Sequence, residues 1–395
     1  MKKPDTESYG RLLKAKIFTV AALFIGMGIS QPLWISWTRQ IPRVPVIGGF
    51  SPASIPWIEF ILSSSILLSM IGIALYSHHI NHFLFAIAIL LVPLALLDQT
   101  RLQPWVYQYW LLLVVFALVS PNEPDEMKDR HAIALAQVIV AALYFWSGAQ
   151  KLNHTFIHET LPNLLSPAQA VLGFRLPMIA IAFGIIGGEL FTGVALHFRR
   201  TRKVAVVIAV AMHAGVLALL ISRGYNHVVW AWNAFLLSLN VILFWNCRVF
   251  AGEALWGWRT QSFRSRLAHF LVLASVLLPA LSFVGWWDLY LSGALYSGNT
   301  EIAVIKVDPQ LLEKLPPSAR ATVFTTGAGE TVLPLQEWSL RELRVPPYPQ
   351  LRVYRQLARE VCRLSENKGQ TGLIVRGRPN IWNGSYEVIR TTCEP

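Results

Sequence analysis

The chain has 395 residues, of which 54% are apolar, only 14% are charged and 15 are tryptophan. Soluble domains carry roughly 25% charged residues, so this composition excludes a disordered chain and argues against a soluble enzyme. The net charge is +12, but residues 1–290 hold 21 Lys and Arg against 12 Asp and Glu, and the long apolar segments lie in the same part. The basic excess therefore indicates membrane topology, and no nucleic-acid partner is expected.

Nine apolar segments are long enough to cross a membrane, because a bilayer core of about 30 Å requires about 20 apolar residues in a helix. They lie at 17–38, 56–76, 82–98, 104–120, 132–150, 177–197, 204–222, 227–246 and 267–287. The third and fourth are short and close together, so a bent hairpin is an alternative for them. The predicted fold class is an all-α polytopic membrane helix bundle of about nine transmembrane helices over residues 17–290, with a small C-terminal α+β domain.

The distribution of Lys and Arg predicts how the bundle is oriented. With residues 1–16 as a cytoplasmic N-terminal segment, 15 Lys and Arg lie inside and six lie outside, at Arg39, Arg43, Arg101, Lys151, Arg175 and Arg223. This excess follows the positive-inside rule. An odd number of spans then places residues 291–395 on the extracytoplasmic side, in a multi-pass integral membrane protein with an uncleaved first span.

The C-terminal residues have the pattern of a small folded domain. Short apolar runs predict strands at 302–307, 373–375 and 386–389. Apolar residues at helical spacing predict a helix over 351–364. Cys362 and Cys393 both lie on the oxidising side, where a disulfide closing about 30 residues would add roughly 3 to 4 kcal/mol of stability. The alternative is two buried free thiols.

Ionisable side chains within apolar spans are candidate functional residues, because a charge in lipid is costly. Glu189 and His213 lie several residues from the nearest predicted interface. The structural alternative is that they bond each other or a backbone carbonyl and lock helix packing. Lys151 closes the fifth span, where a lysine often only anchors the interface. Asp98 and Arg101 could form a loop salt bridge.

Four features resemble the HTTM family in their order along the chain. They are LLDQTR (96–101) followed by YQYW, YFWSGAQKLN (144–153), GGELFTG (187–193) and the intramembrane His213. That family includes the membrane part of vitamin K-dependent gamma-carboxylase and bacterial relatives, and the four-helix DoxX and MauE families have a similar Gly-x-x-Lys-Leu signature. The resemblance covers about residues 90–245 and is sharpest at Tyr144, Gly148, Lys151 and Leu152. It makes a bacterial inner membrane the expected location.

The resemblance implies a quinone-linked enzyme, carboxylase-like or an oxidoreductase, that binds a quinone, hydroquinone or other membrane lipid. The lysine of this signature is assigned in the carboxylase as the base that deprotonates the hydroquinone, and it matches Lys151. Loss of solvation at the apolar boundary favours the neutral amine that such a base requires. Glu189 matches an acidic position of the carboxylase, and His213 completes the predicted catalytic set. The predicted lipid-binding residues are Tyr144, Gly148, Asp98, Arg101 and Trp105.

The sequence departs from the carboxylase at two points. Trp105 stands where the carboxylase carries a functional histidine, and residues 291–395 are too few to match its large lumenal region. The alternative function is a non-catalytic accessory subunit of DoxX/MauE type, which holds a redox or exported protein partner through residues 291–395. Walker, nucleophile-elbow, zincin and C-x-x-C motifs are absent, so neither a metal nor a nucleotide cofactor is expected.

Overall fold

The protein is a helical bundle followed by a small domain built on an antiparallel sheet. The computed structural model describes residues 6–35, 37–46, 55–119, 125–255 and 262–393. Residues 1–5 of the predicted cytoplasmic segment and residues 394–395 of the predicted C-terminal domain lie outside the described residues.

The bundle contains eleven helices within the described ranges. They are α1 (Thr6–Ile29), α2 (Gln31–Trp34), α3 (Ile55–Leu75), α4 (Ile80–Leu97), α5 (Pro104–Val119), α6 (Glu126–Lys151), α7 (Leu161–Leu172), α8 (Met178–Ala195), α9 (Arg202–Arg223), α10 (His227–Phe244) and α11 (Phe263–Leu277). Eight helical segments of the described residues are long and apolar enough to cross a membrane. They are α1, α3, α4 with the 3₁₀ turn before it, α6, α8, α9, α10, and α11 with its 3₁₀ continuation to Val284. The apolar helix α5 is shorter, with 16 residues. Helix length and composition thus indicate a multi-pass membrane protein.

The first helix differs from the predicted span at 17–38. It begins at Thr6 and ends at Ile29, and Pro32 lies in the separate short helix α2. Hydropathy marks only the apolar part of a helix, whereas polar residues of good helix propensity extend α1 towards its N-terminus. Lys16, within this extension, is buried and donates from Nζ to Asn81 Oδ1 at 2.8 Å.

The last span of the bundle also differs from its predicted bounds of 267–287. The α-helix ends at Leu277 and continues as a 3₁₀ segment over Leu278–Val284. Pro279 lies at the start of this segment. Proline has no N–H to continue the α-helical hydrogen-bond ladder, which accounts for the change at this position.

Helix α7 was not predicted from the sequence. It follows a π-helical turn over Phe156–Thr160 and ends before Gly173, whose φ of 71° allows the left-handed turn. Apolar side chains at its C-terminal end are exposed, with Val171 at 86% and Phe174 at 58%. A helix of this kind, with one face packed on the bundle and apolar residues exposed, is typical of a membrane interface.

Helix α10 connects the two ends of the bundle and shows which segments lie at each end. Beside its N-terminus, Tyr225 Oη accepts a hydrogen bond of 3.0 Å from Gln336 of the C-terminal domain. Near its C-terminus, the carbonyl of Ile242 accepts a hydrogen bond of 2.5 Å from Arg11 of α1. Eighteen helical residues span about 27 Å. The start of α1 and the C-terminal domain therefore lie at opposite ends of the bundle.

The C-terminal domain contains a five-stranded antiparallel sheet in the order β2-β3-β1-β4-β5. Its strands are β1 (Ile302–Lys306), β2 (Phe324–Thr325), β3 (Thr331–Pro334), β4 (Gly372–Arg376) and β5 (Val388–Thr392). Its helices are α12 (Pro309–Lys314), α13 (Pro317–Arg320), α14 (Leu335–Leu343) and α15 (Leu351–Cys362). The strands predicted at 302–307 and 373–375 lie at β1 and β4, and the helix predicted at 351–364 lies at α15. The strand predicted at 386–389 overlaps β5 only at Val388 and Ile389. The short strands β2 and β3 were missed.

A disulfide joins the end of α15 to the end of β5. Cys362 and Cys393 are bonded, with their Cα atoms 5.4 Å apart and a separation of 31 residues in the chain. Because β5 is an edge strand that pairs with β4 alone among the described strands, the bridge gives it a second attachment to the domain. The remaining cysteine, Cys247, is a free thiol.

Replacing Cys393 with serine should destabilise the C-terminal domain by roughly 3 to 4 kcal/mol, because the unfolded chain loses a cross-link across a long loop. The measurement is the denaturant concentration at which protease begins to cleave the domain. Cys247→Ser is the matched control and should leave this concentration much closer to the wild-type value. Equal sensitivity of the two variants would contradict a stabilising role for the bridge.

Candidate functional site

A cavity of about 390 Å³ lies among α6, α8, α9 and α10. Most of its lining is apolar, and α7 contributes leucine side chains to it, at 161, 164 and 165. Tyr296, in the segment that leads to the C-terminal domain, also lines it. The polar side chains in the lining include Tyr144, Ser147, Lys151, Glu189, His213 and Asn233. The cavity thus combines an apolar volume with two groups of polar side chains.

The first polar group is an ion pair between α6 and α8. Lys151 Nζ lies 3.0 Å from Glu189 Oε1 and 2.9 Å from Oε2. The same amine donates to Ser147 Oγ at 2.6 Å, and Ser147 Oγ donates to Glu189 Oε1 at 3.3 Å. Both charged side chains are largely but not fully buried, with 10% and 16% of their surface exposed. Pairing offsets the cost of placing these charges at an apolar boundary.

The role of Lys151 as a base stays a prediction, and the contacts of its amine bear on it. An ammonium group has three donors and no acceptor, whereas the resemblance implied a neutral amine that accepts a proton. The acceptor atoms of this pair are the carboxylate oxygens of Glu189. Glu189 and His213, for which a mutual bond was one alternative, instead belong to separate hydrogen-bond groups.

The second polar group joins α6, α9 and α10. Tyr144 Oη lies 2.5 Å from His213 Nε2, and His213 Nδ1 lies 2.7 Å from Asn233 Oδ1. Asn233 donates its amide to the Val229 carbonyl, which leaves Oδ1 as the acceptor facing the imidazole. His213 therefore carries its proton on Nδ1, and Tyr144 donates to Nε2. Asn240 Nδ2 donates to Tyr144 Oη at 2.6 Å and completes the group.

The register of α6 presents both groups to the same cavity. Tyr144, Ser147 and Lys151 are separated by three and four residues, and such positions share one face of a helix. Tyr144 and Lys151 are seven residues apart, which is about 10 Å along the helix axis. The two polar groups therefore lie at different depths along α6. Tyr144 is the deeper of the two, since Lys151 ends the helix.

Close contact between α6 and α8 brings Lys151 to Glu189. A Cβ at Gly148 would lie 3.0 Å from Glu189 Cβ, and a Cβ at Gly193 would lie 2.6 Å from the backbone nitrogen of Phe145. Both helices therefore need glycine where their backbones meet. Gly148, predicted as a lipid-binding residue, lies at this contact and is not part of the cavity lining.

Asp98, Arg101 and Trp105 also lie outside the cavity lining, in a separate buried cluster. Arg101 Nη2 lies 2.6 Å from Glu59 Oε1, and Asp98 is paired with Arg39. The side chains of Asp98 and Arg101 thus pair with partners distant in sequence, and local spacing did not indicate this. The structure brings together Lys151, Glu189, Tyr144 and His213, but not these three residues.

Sequence reasoning missed the two asparagines of the second group. Asn233 and Asn240 are seven residues apart on α10 and lie on one helix face. Both side chains are uncharged amides, which are not among the ionisable groups that make a span costly in lipid. Uncharged amides at helical spacing within an apolar run were the signal that could have revealed them.

No family model, curated protein or solved structure matches the chain. The resemblance to the HTTM family therefore depends on the sequence motifs and stays a prediction. Across the described ranges, no group of three or more His, Cys, Asp and Glu side chains could hold a metal ion.

Gly193→Ala should separate α6 from α8, because the added methyl group would meet backbone atoms of α6. Overpacking of this kind costs about 1–3 kcal/mol. The matched control is Gly184→Ala on the same helix, where an added Cβ meets nothing within 4 Å. Thermal unfolding in nanodiscs should show a lower midpoint for Gly193→Ala alone. Equal midpoints for the two variants would contradict the close contact.

Proposed function

We propose that this protein binds a quinone or a similar amphiphilic lipid in the cavity among α6, α8, α9 and α10 and exchanges protons with its polar head. The observation that carries this proposal is the placement of the Lys151–Glu189 pair and the Tyr144–His213 pair on one apolar cavity. A volume of about 390 Å³ falls within the usual range for small-molecule sites, which are mostly apolar with a few polar groups that fix orientation. These properties fit a compact polar ring with an apolar tail.

The polar groups have complementary roles towards such a head group. A bound hydroquinone would present two hydroxyl groups, and loss of a proton from one of them leaves a phenolate anion without a change of oxidation state. Glu189 would accept a hydroxyl proton at a carboxylate oxygen, and the ammonium of Lys151 would donate to the head-group oxygen and stabilise negative charge on it. Tyr144 would donate to a second head-group oxygen, with His213 Nε2 as its hydrogen-bond acceptor in the absence of ligand.

The proposed placement in the membrane has nine crossings, with α5 as one of them. The N-terminus then lies in the cytoplasm and the C-terminal domain outside the inner membrane of a bacterium. Two observations support it: the excess of Lys and Arg in the segments assigned to the cytoplasm, and the Cys362–Cys393 disulfide, which suits an oxidising compartment. The HTTM-like motifs support membership of that family.

Quinone binding should depend on the Lys151–Glu189 pair. Wild-type protein purified in nanodiscs is expected to retain quinone, detected by mass spectrometry, and added short-chain quinone should raise its melting temperature. Lys151→Met should weaken binding about tenfold, since it removes a charge-assisted hydrogen bond. Lys128→Met, at an exposed lysine paired with Asp125, is the matched control and should bind normally.

Two further variants separate ligand binding from folding. Lys151→Met combined with Glu189→Met leaves no unpaired charge, so it should fold and still fail to bind. Leu219→Trp should fill the cavity and prevent binding without a change to either polar group. Wild-type protein without quinone and without a melting shift on quinone addition would overturn the proposal, as would normal binding by Leu219→Trp.

A further inference from the structure

The C-terminal domain has a basic groove between α15 and the end of β5. Its volume is about 760 Å³, and Leu373, Thr391 and Thr392 form the side opposite the helix. Five basic side chains line it: Arg352, Arg355, Arg359, Arg363 and Lys368. Among the residues that the structure describes, the lining contains neither Asp nor Glu. The groove is thus a concave surface of one charge sign, which favours an anionic partner.

Three of the five cations are available to a partner. Arg352 is paired with Asp288, and Arg363 Nη1 lies 2.7 Å from Glu360 Oε2. Arg355, Arg359 and Lys368 make no side-chain hydrogen bond or ion pair with the residues that the structure describes, and all three are exposed. These three unpaired cations gain more binding free energy from a carboxylate than cations that are already paired.

The spacing of the groove arginines matches that of side chains along an extended chain. Arg355 and Arg359 are four residues apart on α15, which is about 6 Å along the helix, and Arg363 follows at the same interval directly after the helix ends. Alternate side chains of a β-strand point to one side and repeat at about 6.8 Å. Acidic residues at every second position of a strand would therefore meet successive arginines.

The sheet offers an edge to such a strand. β5 is the last strand of the order β2-β3-β1-β4-β5, and its outer edge carries no further strand among the described residues. Its residues Thr391 and Thr392 line the groove beside the arginines. Addition of a strand to a free edge supplies backbone hydrogen bonds, and adjacent side-chain contacts supply specificity.

We propose that an extended acidic segment of a protein partner binds in this groove as a sixth strand along β5, with its carboxylates on Arg355 and Arg359. This site is distinct from the cavity among the helices and does not depend on the function proposed for that cavity. It gives the C-terminal domain a role in holding a partner outside the helical bundle.

The test uses the full chain in nanodiscs of zwitterionic lipid and a fluorescent alternating Glu-Val peptide of about eight residues as the probe. Fluorescence polarisation should show binding that weakens as salt is added. The double variant Arg355→Glu and Arg359→Glu should lower affinity about tenfold or more. The matched control, Arg341→Glu at an exposed arginine of α14, should bind as the wild type does.

Two comparisons distinguish this proposal from its alternatives. A Glu-Val peptide with N-methyl groups at all its backbone nitrogens should not bind, because neither of its edges can then donate to β5, and binding equal to the parent peptide would overturn the strand addition. Absence of peptide binding to the wild type, or an equal loss in Arg341→Glu, would overturn the site itself. Binding of anionic phospholipid vesicles without binding of the peptide would also overturn it and assign the groove to a lipid surface.

Discussion

The backbone contact between α6 and α8 is the constraint on which the candidate site depends. Gly148 and Gly193 remove side-chain bulk where the two helices meet. Lys151 and Glu189 then reach each other directly, with both carboxylate oxygens within hydrogen-bond distance of the amine. Without that contact each charge would face an apolar cavity alone, at a cost of several kcal/mol. The same contact fixes the face of α6 that carries Tyr144.

Buried charges occur in two settings in this bundle, and their accessibility distinguishes them. Arg101 is fully buried and donates to Glu59 and to the carbonyls of Leu33 and Leu94, so its donors are used by the protein. This cluster ties the segment after α1 to α3 and α4. Lys151 and Glu189 retain exposed surface on the cavity. A ligand in the cavity can therefore reach Lys151 and Glu189, whereas the buried contacts of Arg101 stabilise the fold.

Most of the architecture could be predicted from residue patterns. Long apolar runs locate the helices because lipid imposes a length, and the apolar runs of the C-terminal domain locate β1, β4 and α15. Helix α7 was missed because it has 12 residues, includes Pro167 and is amphipathic. The partners of Arg101 were missed because Glu59 lies 42 residues away. An ion pair between residues so far apart in sequence depends on how the helices pack, and the spacing of neighbouring residues does not predict it.

The shortness of α5 has a consequence for how the protein responds to bilayer thickness. Sixteen residues give a helix of about 24 Å, less than the hydrocarbon core of about 30 Å. Most of its side chains are buried by neighbouring helices, so protein and not lipid surrounds it. Hydrophobic mismatch acts on lipid-exposed surface. Longer outer helices such as α3 and α9 will therefore adjust their tilt to a thicker or thinner membrane, while α5 keeps its position.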